Sequence, residues 1–110
     1  SGYTALLLRQ AALARKLKAS LLEVGGFCIA PGNDFPICCF TVDEPNEAKA
    51  NAVLVSIYEE IMRRGDFFVT LCNLEGRQYI RVAFNNFATK DIHIKNFVSA
   101  LLVARECAVR

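Results

Sequence analysis

The stretch Phe67-Phe68-Val69-Thr70-Leu71-Cys72-Asn73-Leu74-Glu75-Gly76-Arg77-Gln78-Tyr79-Ile80-Arg81-Val82-Ala83-Phe84 decides the fold. Two runs rich in β-branched and aromatic residues, 67–74 and 78–84, flank a connection over 73–77 in which Gly76 permits the positive backbone angle a hairpin needs. The stretch therefore predicts two antiparallel strands joined by a turn. Within the second run Arg81 stands between Ile80 and Val82. Successive strand residues face opposite ways, so its guanidinium belongs to the face that these two aliphatics avoid.

Upstream, residues 47–64 predict a helix with Ala50, Val53, Leu54, Ile57, Ile61 and Met62 as its buried stripe. Asn46 can cap its start by accepting a bond from an unpaired backbone N–H, Glu47 and Arg63-Arg64 suit the two ends of the helix dipole, and Gly65 stops it. Asp43-Glu44-Pro45-Asn46 breaks the preceding pattern. Before it, 35–42 reads as a strand, with Pro36 near the start where a missing donor costs least. It should pair with a short extended segment, 27–30, across a turn at Pro31-Gly32-Asn33-Asp34.

The first segment, 4–24, places Leu6, Leu13, Leu17, Leu21 and Val24 at helical spacing, with Arg9, Arg15, Lys16 and Lys18 largely off that stripe, and ends at Gly25-Gly26. The last opens at Thr89, an N-cap type, with Asp91 in the first turn and Ile94, Phe97, Val98, Leu101 and Leu102 on one face. The order is helix, strand, strand, helix, strand, strand, helix. A largely antiparallel sheet with the helices on one face buries every stripe at once, which predicts an α+β domain. Length and pattern give one domain over residues 1–110, without repeat, linker or low-complexity tract.

Hydrophobic residues make up 54% and charged residues 22% of the chain, a globular balance. The net charge of +2 is too small, and the basic residues too scattered, to imply nucleic acid or an anionic membrane as partner. The strand aromatics Phe67, Phe68, Tyr79 and Phe84 are not interleaved with a basic stripe, which again argues against nucleic acid. Apolar runs such as 5–8 and 52–55 fall far short of the roughly 20 residues that span a bilayer, and no signal-peptide pattern opens the chain. A cytoplasmic location is expected. Ser1-Gly2 reads as a cloning remnant and there is no initiator Met, both of which suit a fragment of something longer.

The inventory of chemical groups is thin. Five cysteines, Cys28, Cys38, Cys39, Cys72 and Cys107, include no C-x-x-C pair and have only His93 to complement them, so no metal site is expected and reduced, buried thiols are the plain reading. Cys38 and Cys39 should point to opposite faces of their strand. His93 is expected at the surface of the third helix or capping it. No strand-to-helix phosphate loop appears, and Asp43-Glu44 and Glu59-Glu60 sit where carboxylates are usually solvated.

The stretch Gln78-Tyr79-Ile80-Arg81-Val82-Ala83-Phe84-Asn85-Asn86-Phe87-Ala88-Thr89-Lys90-Asp91-Ile92 resembles the C-terminal signature of the group II pyridoxal-phosphate-dependent amino-acid decarboxylases, which include glutamate and aromatic-amino-acid decarboxylases. The resemblance rests on a hydrophobic strand holding an Arg, an Asn-containing turn, and a Thr-capped helix opening with an acidic residue and Ile. Phe35-Pro36-Ile37-Cys38-Cys39-Phe40 is similar to the family's strand in which Pro precedes an apolar run ending in Cys-Phe. A first helix followed by Gly-Phe fits the lead-in. The chain departs from the pattern at Phe87, where family members often have Pro after the Asn, and in the short 43–48 connection. Subfamily and substrate side chain stay open.

The resemblance implies the C-terminal small domain of a larger enzyme, inactive alone. Pyridoxal phosphate (PLP) would be held by a large domain in a homodimeric parent, and the substrate would be an amino acid. The family's cofactor-linked Lys directly follows a His. Here Ile94 follows His93, and Lys95 belongs to a helix, so no Lys of this chain takes that role. Arg81 is the one site residue carried over, implied to grip the substrate α-carboxylate. A guanidinium can do this with two parallel charge-assisted bonds. The alternatives are a structural ion pair for Arg81 at a domain junction, a free-standing α+β binding module, and the small domain of another PLP enzyme of the same fold, such as an aminotransferase or carbon–sulfur lyase. An exposed apolar face on the first helix, or ready self-association, would favour a domain taken from a larger chain.

Overall fold

The structure, a computed structural model, describes residues 2–30, 37–65, 69–83 and 91–109. The elements follow in the expected order: α1 (Gly2–Val24), β1 (Phe27–Ile29), β2 (Ile37–Val42), α2 (Glu47–Arg64), β3 (Thr70–Leu74), β4 (Arg77–Ala83) and α3 (Asp91–Ala108). The strands form one antiparallel sheet in the order β1-β2-β4-β3. Each hairpin pairs strands adjacent in sequence, and the two hairpins meet along β2 and β4, with Cys38 opposite Val82 and Phe40 opposite Ile80.

Period-two alternation divides the sheet into two faces. Cys38, Phe40 and Val42 of β2 and Ile80 and Val82 of β4 join Leu17 and Leu21 of α1, Leu54, Ile57 and Ile61 of α2, and Ile94, Phe97 and Leu101 of α3 in one buried cluster. All three helices thus share one side of the sheet, the arrangement that buries three apolar stripes with a single layer of strands. Phe40 lies at the middle of it, fully buried, edge-on to Phe27 at 5.7 Å and to Phe97 at 6.3 Å between ring centroids.

Local signals set the helix ends. Asn46 has extended backbone angles, and its side chain accepts from the Lys49 N–H at 2.9 Å. Gly65, at φ +74°, closes α2 with its N–H on the Met62 carbonyl. Two expected stripe members are instead exposed, Val24 at 40% and Met62 at 41%. The inward positions of α2 are Ala50, Leu54, Ile57 and Ile61. Met62 follows Ile61 by one step of roughly 100°, which carries it past the edge of the packed face. Val24 is the final helical residue, where the chain turns away through Gly25 and Gly26, both at positive φ. The expected turn at 31–34, residues Phe35, Pro36, Phe67, Phe68 and Phe84, and the Thr89 cap lie outside the described residues.

The β3–β4 turn is tighter than the five-residue connection that the sequence suggests. Leu74 pairs with Arg77, so only Glu75 and Gly76 connect the strands, at φ +53° and +88°. Two positive angles in succession match the right-handed twist of the strands, at the expense of placing Glu75 where Gly or Asn is more comfortable. Side chains hold the turn in place. The Asn73 Oδ1 accepts from the Gly76 N–H at 3.0 Å; Asn51, on α2, donates Nδ2 to the Gly76 carbonyl at 2.9 Å and accepts the Gln78 N–H at 2.8 Å. Asn51→Ala removes both α2 anchors at once. It is expected to cost about 1–2 kcal/mol, read as a lower denaturation midpoint at unchanged slope with helix content intact.

Candidate functional site

On the opposite side of the sheet the residues of the other parity line up. Arg81 on β4 pairs with Cys39 on β2 and with Thr70 on β3, while Tyr79 pairs with Cys72, and Cys28 with Thr41. No described helix packs on this face. Arg81 is exposed while Ile80 and Val82 on either side are buried, the disposition expected from strand alternation.

Arg81 therefore projects from one of the two central strands, flanked by β2 and β3, a rigid position for a binding group. Among the described residues it makes no ion pair with a carboxylate. Arg77, four residues earlier on the same face, is in contrast committed to structure, donating to the Glu44 carbonyl at 3.1 Å. The difference matters because a guanidinium already occupied within its own domain is not available to a ligand.

Beneath Arg81, the Cys39 and Cys72 sulfurs approach to 3.4 Å across β4. Burial, then the bond to Cys72 and its charge, push the Cys39 thiol up to about 12, with Arg81 pulling the other way. Cys38, on the helix side, is likewise raised to about 12 by burial. Both are protonated at neutral pH and poor nucleophiles, so the pair reads as packing under the guanidinium. Cys38 and Cys39 are buried and face opposite ways, as the sequence predicts, but Cys28 and Cys72 are only half-buried and Cys107 is exposed. Nothing in their local pattern distinguishes the three groups, because partners on other strands and helices decide burial.

PLP needs a lysine to carry it, an acid for its ring nitrogen and donors for its phosphate. The described lysines are Lys16 and Lys18 on α1, Lys49 on α2 and Lys95 on α3, all on helices and so across the sheet from Arg81. The described residues form no seat for the cofactor, and no group of three metal-binding side chains converges among them. His93 lies exposed on α3. No described helix is long and apolar enough to cross a membrane.

A cleft of about 450 Å3 opens on the α1–β1 turn, lined by Gly26, Asp43, Glu44, Lys49, Val53 and Arg105 among others. Both of its cations are engaged: Lys49 lies 3.7 Å from Glu44, and Arg105 donates to the Gly25 carbonyl at 2.7 Å while covering the Phe27 ring at 4.7 Å. Arg105 is thus a strut between α3 and the end of α1.

No protein-family model matches the chain, and no curated protein matches it significantly. Solved structures do. Oryza sativa TDC, determined with PLP, superposes with a TM-score of 0.88 at 14% identity, covering 96% of this chain and 24% of its own. Catharanthus roseus tryptophan decarboxylase, in complex with L-tryptophan, gives 0.84 at 15% identity, covering 94% and 22%. Mouse CSAD gives 0.80 at 16%, covering 91% and 23%. The chain spans less than a quarter of the length of these proteins. It has, over nearly all its residues, the fold of one segment of PLP-dependent amino-acid decarboxylases, the family that residues 78–92 resemble.

Proposed function

We propose that this chain is the C-terminal small domain of a PLP-dependent amino-acid decarboxylase, and that Arg81 holds the α-carboxylate of the substrate. The observation that carries the reading is the placement of Arg81: exposed on a central strand, on the sheet face where no described helix packs, and without a carboxylate partner among the described residues. The fold shared with one segment of much longer decarboxylases supports it.

In this reading the Arg81 face of the sheet meets a large domain of the same polypeptide, and the substrate lies between the two. PLP, held by that large domain, supplies the electron sink for decarboxylation. This chain contributes geometry. Two parallel N–H···O bonds from one planar guanidinium fix both the position and the plane of a carboxylate, where an ammonium would fix position alone. Buried Ile80 and Val82 and the β2 and β3 neighbours hold the strand, so that orientation is set before the substrate arrives. The enclosing face also limits water around the carboxylate, which strengthens the charge-assisted bonds.

The test is an assay of the polypeptide that carries this chain together with its large domain, given carboxyl-labelled amino acids and PLP. Release of labelled carbon dioxide is expected, with none from the isolated 110-residue chain. Transfer of the amino group to a keto acid, with the carboxyl label retained, would replace decarboxylation with aminotransfer. No turnover of any amino acid would sink the proposal.

A further inference from the structure

Cys39 and Cys72 are neighbours only because of the sheet order. They lie on β2 and β3, the two strands that flank β4, and their sulfurs meet at 3.4 Å across it. Two strand spacings, about 9.5 Å, separate the two backbones, whereas a disulfide needs its Cα atoms within about 7 Å of each other. The pair therefore cannot close into a disulfide while the sheet is intact. One inserted atom can bridge it. Bonds of about 2.3 Å to sulfur, the length of a zinc–thiolate bond, span the 3.4 Å gap at an angle of about 95°. That angle belongs to a pyramidal centre with a lone pair, such as trivalent arsenic. It is tighter than the tetrahedral geometry of zinc and far from the straight line of two-coordinate copper(I).

We propose that Cys39 and Cys72 are a chelating dithiol site for a trivalent arsenical that carries one organic group and two exchangeable hydroxyls. The reaction balances without an oxidant. Two S–H and two As–O bonds break, two As–S bonds and the O–H bonds of two waters form, and arsenic stays trivalent. Each thiol proton leaves in a water molecule, so the equilibrium is not opposed by a Cys39 thiol that burial and the bond to Cys72 push up to about 12. A metal ion has to displace those protons into solvent instead. The second As–S bond forms within the molecule, at the high effective concentration of a sulfur already in contact with the first. The number of thiols narrows the ligand further. No third metal-binding side chain converges on the pair among the described residues, so arsenous acid, with three hydroxyls to exchange, gains no third bond here. The other thiols are elsewhere: Cys38 faces the helices, Cys28 lies on β1 beyond β2, and Cys107 is exposed on α3. Cys72, half-buried on a face where no described helix packs, opens the pair to solvent. The inference rests on the sulfur geometry and not on the role proposed for Arg81.

Phenylarsine oxide, which hydrates in water to such an arsenical, tests the proposal on the reduced 110-residue chain. Binding is expected at one arsenical per chain, with the loss of two waters from the hydrated form, and excess dimercaptopropanol should reverse it. Mass spectrometry of the proteolysed adduct should find arsenic joining Cys39 to Cys72, a readout that needs no variant. Cys72→Ala, at a half-buried position, should weaken binding about a hundredfold or more by removing the second bond. Cys28→Ala and Cys107→Ala should leave it unchanged, and arsenite should bind on the order of tenfold more weakly than phenylarsine oxide. No adduct at about 100 µM, a concentration that populates even a weak chelate, would overturn the proposal. So would a bridge to any other cysteine, an affinity indifferent to Cys72→Ala, or arsenite bound as tightly as the arsenical, which requires a third thiol.

Discussion

Arg81→Lys, made in the polypeptide that carries the large domain, is expected to lower kcat/KM on the order of a hundredfold or more, the scale of losing one well-placed charge-stabilising donor. The positive charge remains, so substrate should still be attracted. What disappears is the paired bond that fixes the carboxylate plane, and the loss should therefore fall more on kcat than on KM. Folding should be untouched, because Arg81 is exposed and makes no described ion pair. The thermal transition of the variant separates this outcome from a structural role. An arginine that only braced a domain junction would show the reverse, a lower transition with near-normal turnover of the folded fraction. Unchanged kinetics would remove Arg81 from the site.

Phe40→Ala should have the largest effect on stability, a loss of about 3–5 kcal/mol. Phe40 is fully buried and contacts Phe27 and Phe97 edge-on, so one ring ties the first hairpin to α3 through the centre of the core. Total stabilities of small domains are only about 5–15 kcal/mol, which puts the variant near or below the threshold of folding. Urea denaturation followed by circular dichroism measures this directly. A loss under about 1 kcal/mol would mean that the surrounding side chains collapse into the vacated space, contrary to the packing described.

What could be read from the sequence divides by range. The caps at Asn46 and Gly65 were legible because a cap is a contract between residues a few positions apart. The outward direction of Arg81 was legible because strand alternation needs only its two neighbours. The buried stripes were correct at their centres and failed at Val24 and Met62, on their margins, where the position of neighbouring elements decides exposure. The hydrogen bonds of Asn51 to the hairpin, and the contact between Cys39 and Cys72, left no signal. Each joins elements distant in sequence, and nothing in a single sequence states that β4 lies between β2 and β3.

That strand order also bears on when during folding the position of Arg81 becomes fixed. Each hairpin closes a short stretch of chain, whereas the β2–β4 seam joins segments on either side of α2 and closes a much longer loop. Arg81 has one ladder neighbour, Thr70, from its own hairpin and the other, Cys39, from across the seam. A chain with both hairpins formed but the seam open would thus hold the guanidinium on an edge strand, supported on one side alone. With that seam open the chain would have both hairpins and no fixed place for the carboxylate grip proposed for Arg81.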